Sequence, residues 1–171
     1  MSHPSQMAFV ARMKERFPDY FTNRKVLEIG SLNINGSVRQ FFSGGEYVGV
    51  DIGPGADVDL VCNGHEVPFG DRFFDTVISC ECLEHDIYWE QTFLKMCELT
   101  SHLVIMTCAT TGRAEHGTTR TSPEAAPFTN DYYRNLTAQD FRDNFDLINL
   151  FKDFGFEVNE ESHDLYFWGI K

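Results

Sequence analysis

The order of strand-like and helix-like segments is the feature that most constrains this chain of 171 residues. Short apolar runs typical of buried strands are followed by polar loops or by segments with apolar residues at helical spacing. No internal repeat, low-complexity tract or long linker interrupts this order. We therefore predict one α/β domain over residues 1–171, with a Rossmann-like, doubly wound sheet. Seven strands are expected, mostly parallel, with one antiparallel strand in a C-terminal hairpin.

Apolar spacing and turn residues predict where the elements begin and end. A first helix over residues 7–17, within an N-terminal helical extension of residues 1–23, is expected to end at Pro18. A late helix is expected to begin at the capping box Thr137–Asp140 and to stop at a left-handed Gly155. The other predicted helices cover residues 36–42 and 88–99, and the predicted strands cover residues 25–30, 47–51, 58–61, 75–80, 102–108, 156–160 and 165–170.

Charge and cysteine content narrow the classes of partner and compartment. Twenty-six acidic residues against 14 basic ones give a net charge of −12, which repels nucleic acid and anionic membranes. We find no apolar run of the ~20 residues that a membrane span requires. We expect no secretory leader, because the first residues given lack a basic start and an apolar run. Five cysteines, an odd number mostly within apolar stretches, suit reduced thiols. We expect a cytoplasmic protein with no nucleic-acid or membrane partner, and the sequence leaves its oligomeric state open.

Polar residues follow successive predicted strands, at the sheet edge where α/β proteins bind ligands. Glu28, Gly30, Ser31 and Asn33 occur at the end of the first strand and in the loop after it. Gly30 permits a sharp turn beside a ligand, although such strand–glycine–helix junctions are common. Asp51 follows Gly30 by 21 residues, the spacing at which an acid binds a ribose diol. Its alternative role is to begin the turn that follows.

Further candidates follow the third and fourth strands. The Asn63 amide can hydrogen-bond an adenine edge, although Asn63-Gly64 is also a common turn dipeptide. Glu81 and His85 lie just beyond the fourth strand. Cys80 and Cys82 have no second cysteine pair, so zinc is not expected there. Glu84-His85, with His116 and His163 elsewhere, could in principle bind a divalent ion, but the adjacent pair lacks helical i, i+4 ligand spacing, so no metal site is expected.

Taken in order, residues 26–30, 47–52, 67–78 and 81–85 resemble the motifs of small, single-domain class I S-adenosylmethionine-dependent methyltransferases. The resemblance implies S-adenosylmethionine as cofactor. It also implies that Glu28, Gly30 and the loop with Ser31 and Asn33 bind the methionine end of the cofactor. Asp51 with Ile52 would bind the ribose, and Asn63 with Gly64 would bind the adenine. Glu81 would lie near the sulfonium.

Two positions depart from that family pattern. Leu32 stands where the second glycine of the family's glycine-rich loop usually falls, so the loop over residues 30–36 must take another path. Asn63 stands where the family commonly has aspartate, which keeps an acceptor but loses the charge.

The favoured hypothesis is an enzyme that methylates an oxygen or nitrogen atom of a small-molecule acceptor. Residues 109–136 would cover that acceptor, because a polar loop of this length is more often functional than idle. His85 and His116 are the candidate bases, since imidazole titrates near neutrality. A non-catalytic, cofactor-binding or regulatory module with the same fold is the alternative. A nicotinamide-dependent oxidoreductase fits less well, because Gly-x-Gly-x-x-Gly is absent after the first strand.

Overall fold

Seven strands form one sheet in this computed structural model, which describes residues 3–171. The order across the sheet, with strands numbered along the chain, is β3-β2-β1-β4-β5-β7-β6. The strands are β1 (Lys25–Ile29), β2 (Glu46–Asp51), β3 (Leu60–Val61), β4 (Phe74–Cys80), β5 (Thr100–Ala109), β6 (Asp153–Asn159) and β7 (Asp164–Ile170).

Strands β1 to β5 pair with one another in parallel, whereas β7 is antiparallel to both β5 and β6. The predicted mostly parallel sheet with one antiparallel strand is confirmed. Ile29 at the end of β1 pairs with Val50 of β2 and with Ser79 of β4, so these strands end at the same edge. The chain leaves β1 on one side and returns to its other side as β4. A crevice for ligands is expected where the strand order reverses in this way.

Helices cover both faces of the sheet. Helix α1 packs on the face that carries Val26 and Ile78, and the later helices pack on the face that carries Leu27 and Val77. These residues alternate along β1 and β4, because successive strand residues point to opposite faces. The helices are α1 (Pro4–Arg16), α2 (Trp89–Leu99), α3 (Ala138–Asn144) and α4 (Leu147–Leu150).

The predicted helix over residues 36–42 is wrong, because only a short 3-10 turn forms at Val38–Phe41. Gly36 has a φ of 132°, outside the helical region, and Phe42 is extended. The Phe42 ring stacks on Phe21 with 4.5 Å between centroids. Packing of this aromatic side chain therefore takes precedence over helical spacing.

The predicted late helix over residues 137–154 is correct at its start and wrong at its end. The capping box between Thr137 and Asp140 is present, but the helix stops at Asn144 and a separate turn forms α4. Phe145 adopts an extended backbone and is buried. Gly155 is not a left-handed stop but a residue of β6, where a Cβ would lie 2.8 Å from the indole nitrogen of Trp168.

Other boundaries differ by smaller amounts. The first helix begins at Pro4 and ends at Arg16, just before Pro18 as predicted, and β3 has only two residues. All five cysteines are free thiols. Among residues 3–171, no helix combines the length and apolar character that would allow it to cross a membrane.

Candidate active site

A cleft of about 940 Å³, counted to its open mouth, lies at the carboxyl edge of the sheet. Four neighbouring strand ends and part of the long loop after β5 form its walls. The lining residues include Ile29, Gly30, Leu32, Ile34, Val50, Asp51, Ile52, Asn63, Gly64, Glu81, Cys82, His85, Asp86, Tyr88 and several residues between Ala125 and Tyr132.

The loop after β1 turns sharply at Gly30 and then runs towards β2. Gly30 has a φ of +82°, and a Cβ there would lie 2.5 Å from Cys82 Cβ, so only glycine fits without rearrangement. The Leu32 amide donates a 3.0 Å hydrogen bond to Asp51 Oδ2. The Leu32 side chain packs against Gly55, where a Cβ atom would lie only 2.3 Å from Leu32 Cδ1. Leu32 therefore fills space against the β2–β3 loop.

Asp51 lies at the centre of the cleft wall. Besides the Leu32 amide, its carboxylate accepts a 3.3 Å hydrogen bond from the Gly53 amide. Burial raises the pKa of Asp51, and these backbone donors partly oppose the shift. A carboxylate has about four lone-pair positions, so two backbone donors leave acceptor capacity for the hydroxyls of a ligand.

Asn63, Gly64 and Ile52 line the same end of the cleft. The Asn63 amide donates a 2.6 Å hydrogen bond to Glu66 Oε2. A Cβ on Gly64 would lie 2.7 Å from Thr92 Cγ2, so the absence of a side chain at Gly64 lets the Thr92 side chain of α2 pack closely against this wall. Ile52 is 40% exposed and presents an apolar surface. The arrangement combines a flat apolar wall with an amide, which suits an aromatic heterocycle.

Three predicted cofactor residues are not among those that line the cleft. Glu28 lies on the α1 face of the sheet, where it accepts a 2.7 Å hydrogen bond from the Tyr47 hydroxyl, and burial raises the pKa of Glu28 to about 7. Ser31 is buried. Asn33 donates a 2.8 Å hydrogen bond to Asp57 and accepts one from the Gly36 amide. The Asn33 contacts fold the loop over residues 30–36, and the Tyr47 hydroxyl occupies one oxygen of Glu28.

A group that we call the N-terminal cluster comprises His3, Glu81 and Asp164. His3 Nε2 lies 3.1 Å from Asp164 Oδ2 and 3.6 Å from Glu81 Oε2. The contacts with Asp164 and Glu81 raise the pKa of His3 to about 9. Glu81 also lines the cleft. Sequence reasoning missed His3 and Asp164, since no local pattern connects the first helix with the last strand.

A second group, the inner cluster, comprises Glu84, His85 and His116. The His85 and His116 rings meet edge to face, 5.0 Å between centroids, and Tyr133 lies against both. Glu84 is fully buried and His85 is 8% exposed. Burial lowers the pKa of His85 to about 3 and raises the pKa of Glu84 to about 8. The structure thus brings the two predicted histidines together, with His85 at the cleft, and adds an acid.

The charge of the cleft is one-sided. Asp51, Glu81 and Asp86 line it, and among residues 3–171 no lysine or arginine does. Such a field attracts cations and repels phosphate groups. The cleft therefore suits a ligand with positive charge and opposes a dinucleotide with a pyrophosphate.

The fold is similar to that of solved methyltransferases. A 1,6-didemethyltoxoflavin N1-methyltransferase from Burkholderia thailandensis, solved with S-adenosylhomocysteine, has a TM-score of 0.66 at 16% identity, over 98% of this chain and 78% of that one. An S-adenosylmethionine-dependent methyltransferase from Archaeoglobus fulgidus has a TM-score of 0.62 at 15% identity, over 96% and 94%. A Synechocystis magnesium protoporphyrin IX methyltransferase has a TM-score of 0.63 at 14% identity, over 96% and 83%.

These similarities define the class of fold. No protein-family model matches the chain, and no curated protein matches it in sequence. The architecture is nevertheless that of the class I S-adenosylmethionine-dependent methyltransferases, so the resemblance seen in the sequence is confirmed at the level of the fold.

Proposed function

We propose that this chain is an S-adenosylmethionine-dependent methyltransferase acting on an oxygen or nitrogen atom of a small molecule. The observation that carries the proposal is a methyltransferase-type cleft with three carboxylates and, among residues 3–171, no lysine or arginine in its lining. S-adenosylmethionine carries a sulfonium and an ammonium, which this field favours. A nicotinamide dinucleotide carries a pyrophosphate, which this field disfavours.

The strand ends supply a role for each part of the cofactor. Asp51 accepts hydrogen bonds from the ribose hydroxyls with the acceptor capacity that Leu32 and Gly53 leave. Ile52, Asn63 and Gly64 bind the adenine. The turn at Gly30 admits the methionine end, and Glu81 lies at the rim near the sulfonium. Glu28, Ser31 and Asn33 act indirectly, by fixing the loop between β1 and β2.

When bound, S-adenosylmethionine supplies an electrophilic methyl group. The chain's part is to align the acceptor with that group and to exclude water. Residues 109–136 serve as the acceptor cover, because the segment from Ala125 to Tyr132 contributes to the cleft lining. Within this loop, Arg120 forms ion pairs with Glu115 and Asp131, which connect its first and last parts.

The acceptor side contains the two candidate bases. Burial lowers the pKa of both His85 and His116, so each imidazole is neutral near pH 7 and has a lone pair. A pKa of about 3 makes His85 a weak base for a hydroxyl acceptor. A small-molecule acceptor is supported by two of the similar structures, which are described as methyltransferases for 1,6-didemethyltoxoflavin and magnesium protoporphyrin IX.

Calorimetric titration with S-adenosylhomocysteine tests the cofactor assignment. The wild-type chain should bind one equivalent, and Asp51→Ala should weaken binding by roughly 10- to 150-fold, because it removes about 1.5–3 kcal/mol of hydrogen bonding to a charged group. Glu46→Ala is the matched control, since this residue lies at the other end of β2 with an exposed side chain.

No binding by the wild-type chain would contradict the proposal, and equal affinity in Asp51→Ala would remove Asp51 from the site. Transfer of labelled methyl groups to a panel of hydroxyl and amine acceptors separates the two functional classes. Tight binding without transfer to any of them would favour a non-catalytic, cofactor-binding module.

A further inference from the structure

The inner cluster has the composition of a metal site. Glu84, His85 and His116 each offer one ligand atom, and these three atoms lie within 4.8 Å of one another. Two imidazoles and one carboxylate are a ligand set of catalytic Zn²⁺ sites and of Fe²⁺ sites. Side-chain movements of less than about an ångström would bring such atoms to bonding distance of one ion, given metal–ligand distances near 2.1 Å.

The two imidazoles are oriented as metal ligands usually are. His116 Nδ1 lies 3.1 Å from the Ala114 carbonyl oxygen, so in the tautomer that donates this hydrogen bond Nε2 keeps its lone pair. His85 has a backbone hydrogen bond at Tyr132, while its Nδ1 is buried with no partner among residues 3–171. A ligating histidine typically donates its second ring N–H to a backbone carbonyl or carboxylate in this way.

Glu84 supplies the anionic ligand and lacks a compensating charge. Its side chain is fully buried, and neither carboxylate oxygen accepts a hydrogen bond from a side chain among residues 3–171. Backbone hydrogen bonds at Glu84 and Ala109 compensate part of the cost of burying this group, but burial still raises the pKa of Glu84 to about 8. A bound cation would provide the opposite charge that this carboxylate lacks.

The loop that carries His116 is fixed against His85. Gly117 has a φ of +68°, and a Cβ there would lie 2.7 Å from His85 Cε1. The Tyr133 hydroxyl donates a 2.7 Å hydrogen bond to Asn135 Oδ1, and its oxygen lies 3.2 Å from the Ala114 carbonyl oxygen. The two imidazoles are therefore held in place by the fold, as a preorganised site requires.

We propose that Glu84, His85 and His116 bind one divalent transition-metal ion, of the class of Zn²⁺, in the wall of the cleft. This proposal replaces the sequence expectation of no metal site. Three protein ligands leave a fourth position, and His85 lines the cleft, so that position is open to a ligand there.

The use of the ion rests on the proposed function, whereas its binding does not. An acceptor hydroxyl at the open position would lose its proton to solvent more readily, because a bound cation lowers the pKa of a coordinated hydroxyl. The freed oxygen lone pair would then form the bond to the methyl carbon as the carbon–sulfur bond breaks. A protein base is not needed in this scheme, because His85 and His116 serve as ligands.

Metal titration tests the site without any methyl transfer. Wild-type protein is first stripped of metal with a chelator and is then titrated with Zn²⁺ by calorimetry and with Co²⁺ by visible absorption. We expect one ion per chain, and we expect bound Co²⁺ to show the visible absorption bands of a coordination site of low symmetry. Glu84→Gln and His116→Ala should each weaken binding by more than the ~10–100-fold typical of outer-shell changes. His102→Ala is the matched control, since His102 lies at the beginning of β5 and is outside the cluster.

Glu84→Gln keeps the size and neutrality of a protonated carboxyl, so it tests the ligand without disturbing the fold. Circular dichroism verifies that both variants are folded. The proposal is overturned if the wild-type chain binds no ion, or if either folded variant binds Zn²⁺ as tightly as the wild type. S-adenosylhomocysteine affinity, measured on the same variants, shows separately whether the cofactor site is intact.

Discussion

The N-terminal cluster and the inner cluster both combine histidine with acidic residues. Burial and contacts favour the charged forms of His3 and Asp164 in the first and the neutral forms of Glu84 and His85 in the second. In the N-terminal cluster, His3 lies beside two carboxylates and its pKa is raised to about 9. In the inner cluster, His85 lies against a second imidazole, and burial lowers its pKa to about 3. The pKa of Glu84 is raised to about 8, whereas the pKa of Asp164 is held below its usual range.

The difference arises from pairing and burial. Burial opposes the charge of Asp164, but contact with His3 and Arg113 outweighs it. Glu84 is fully buried and gains no such cation, so its neutral form is favoured. Acid and histidine in one neighbourhood therefore do not define a charge state. The ion pair of the N-terminal cluster holds the beginning of α1 against β7. The inner cluster has no positive charge of its own, and its ligand atoms can bind a cation.

Removal of the anion from the N-terminal cluster should have the largest effect. Asp164→Asn leaves Arg113 without its buried carboxylate and leaves His3 with Glu81, 3.6 Å away, in place of two carboxylates. Breaking a buried pair in this way typically costs about 3–5 kcal/mol. Both cations are partly exposed, so we expect about 3 kcal/mol, the lower end. Urea unfolding at pH 6 measures it, with Asp153→Asn on the exposed part of β6 as control. Equal losses in the two variants would contradict an ion-paired cluster.

The inner cluster should weaken the fold in acid. The pKa of His85 is about 3 in the folded chain, against the ordinary value of 6.5 that applies in the unfolded chain. Between these two pH values the unfolded state binds more protons, so the stability of the fold decreases as the pH is lowered. From pH 6 to pH 5, with a chelator present, the wild type should lose up to about 1.4 kcal/mol relative to His85→Gln.

Urea unfolding of both proteins at pH 7, 6, 5 and 4 gives that difference, and His163→Gln controls for loss of an imidazole outside the cluster. A wild-type-to-variant difference that stays constant over this range would show that His85 is not held neutral by the fold.

The stability that the N-terminal cluster contributes should decrease at alkaline pH. This effect should be smaller than that of the inner cluster, because His3 is partly exposed to solvent. Its pKa is raised from 6.5 to about 9, so its stabilisation is complete below pH 6.5 and is lost as the pH rises through 9. The melting temperature of the wild type should exceed that of His3→Gln at pH 6, and the two should converge by about pH 10. Calorimetric scans at both pH values test this. Equal differences at pH 6 and pH 10 would argue against a charged His3.

Local patterns predicted the order of elements well. Periodicity located every strand to within a few residues, and the capping box at Thr137 and Asp140 formed as expected. The failures involve aromatic residues: Phe42 stacks on Phe21 and Phe145 is buried, and each lies in extended backbone where a helix was expected. Burial of a large ring in the core outweighs helix propensity, which is a weak preference.

The candidate site shows a similar division. The spacing between Gly30 and Asp51 predicted that both would lie at one sheet edge, and both line the cleft. The family resemblance assigned Glu28 to the methionine end of the cofactor, and the structure places its side chain on the α1 face. Strand alternation decides between the faces, and Ile29, one residue further, has the cleft-facing position.

By itself, the sequence determined the class of fold and the strand ends that meet at the cleft, and it singled out His85 and His116. These features depend on local periodicity and on fixed spacings along neighbouring parallel strands. Only the tertiary structure decided that His116 and Glu84 meet at His85 and that His3 reaches Asp164 from the other end of the chain. Charge states depend on such distances and on burial, which arise when distant segments pack together and leave no trace in local sequence.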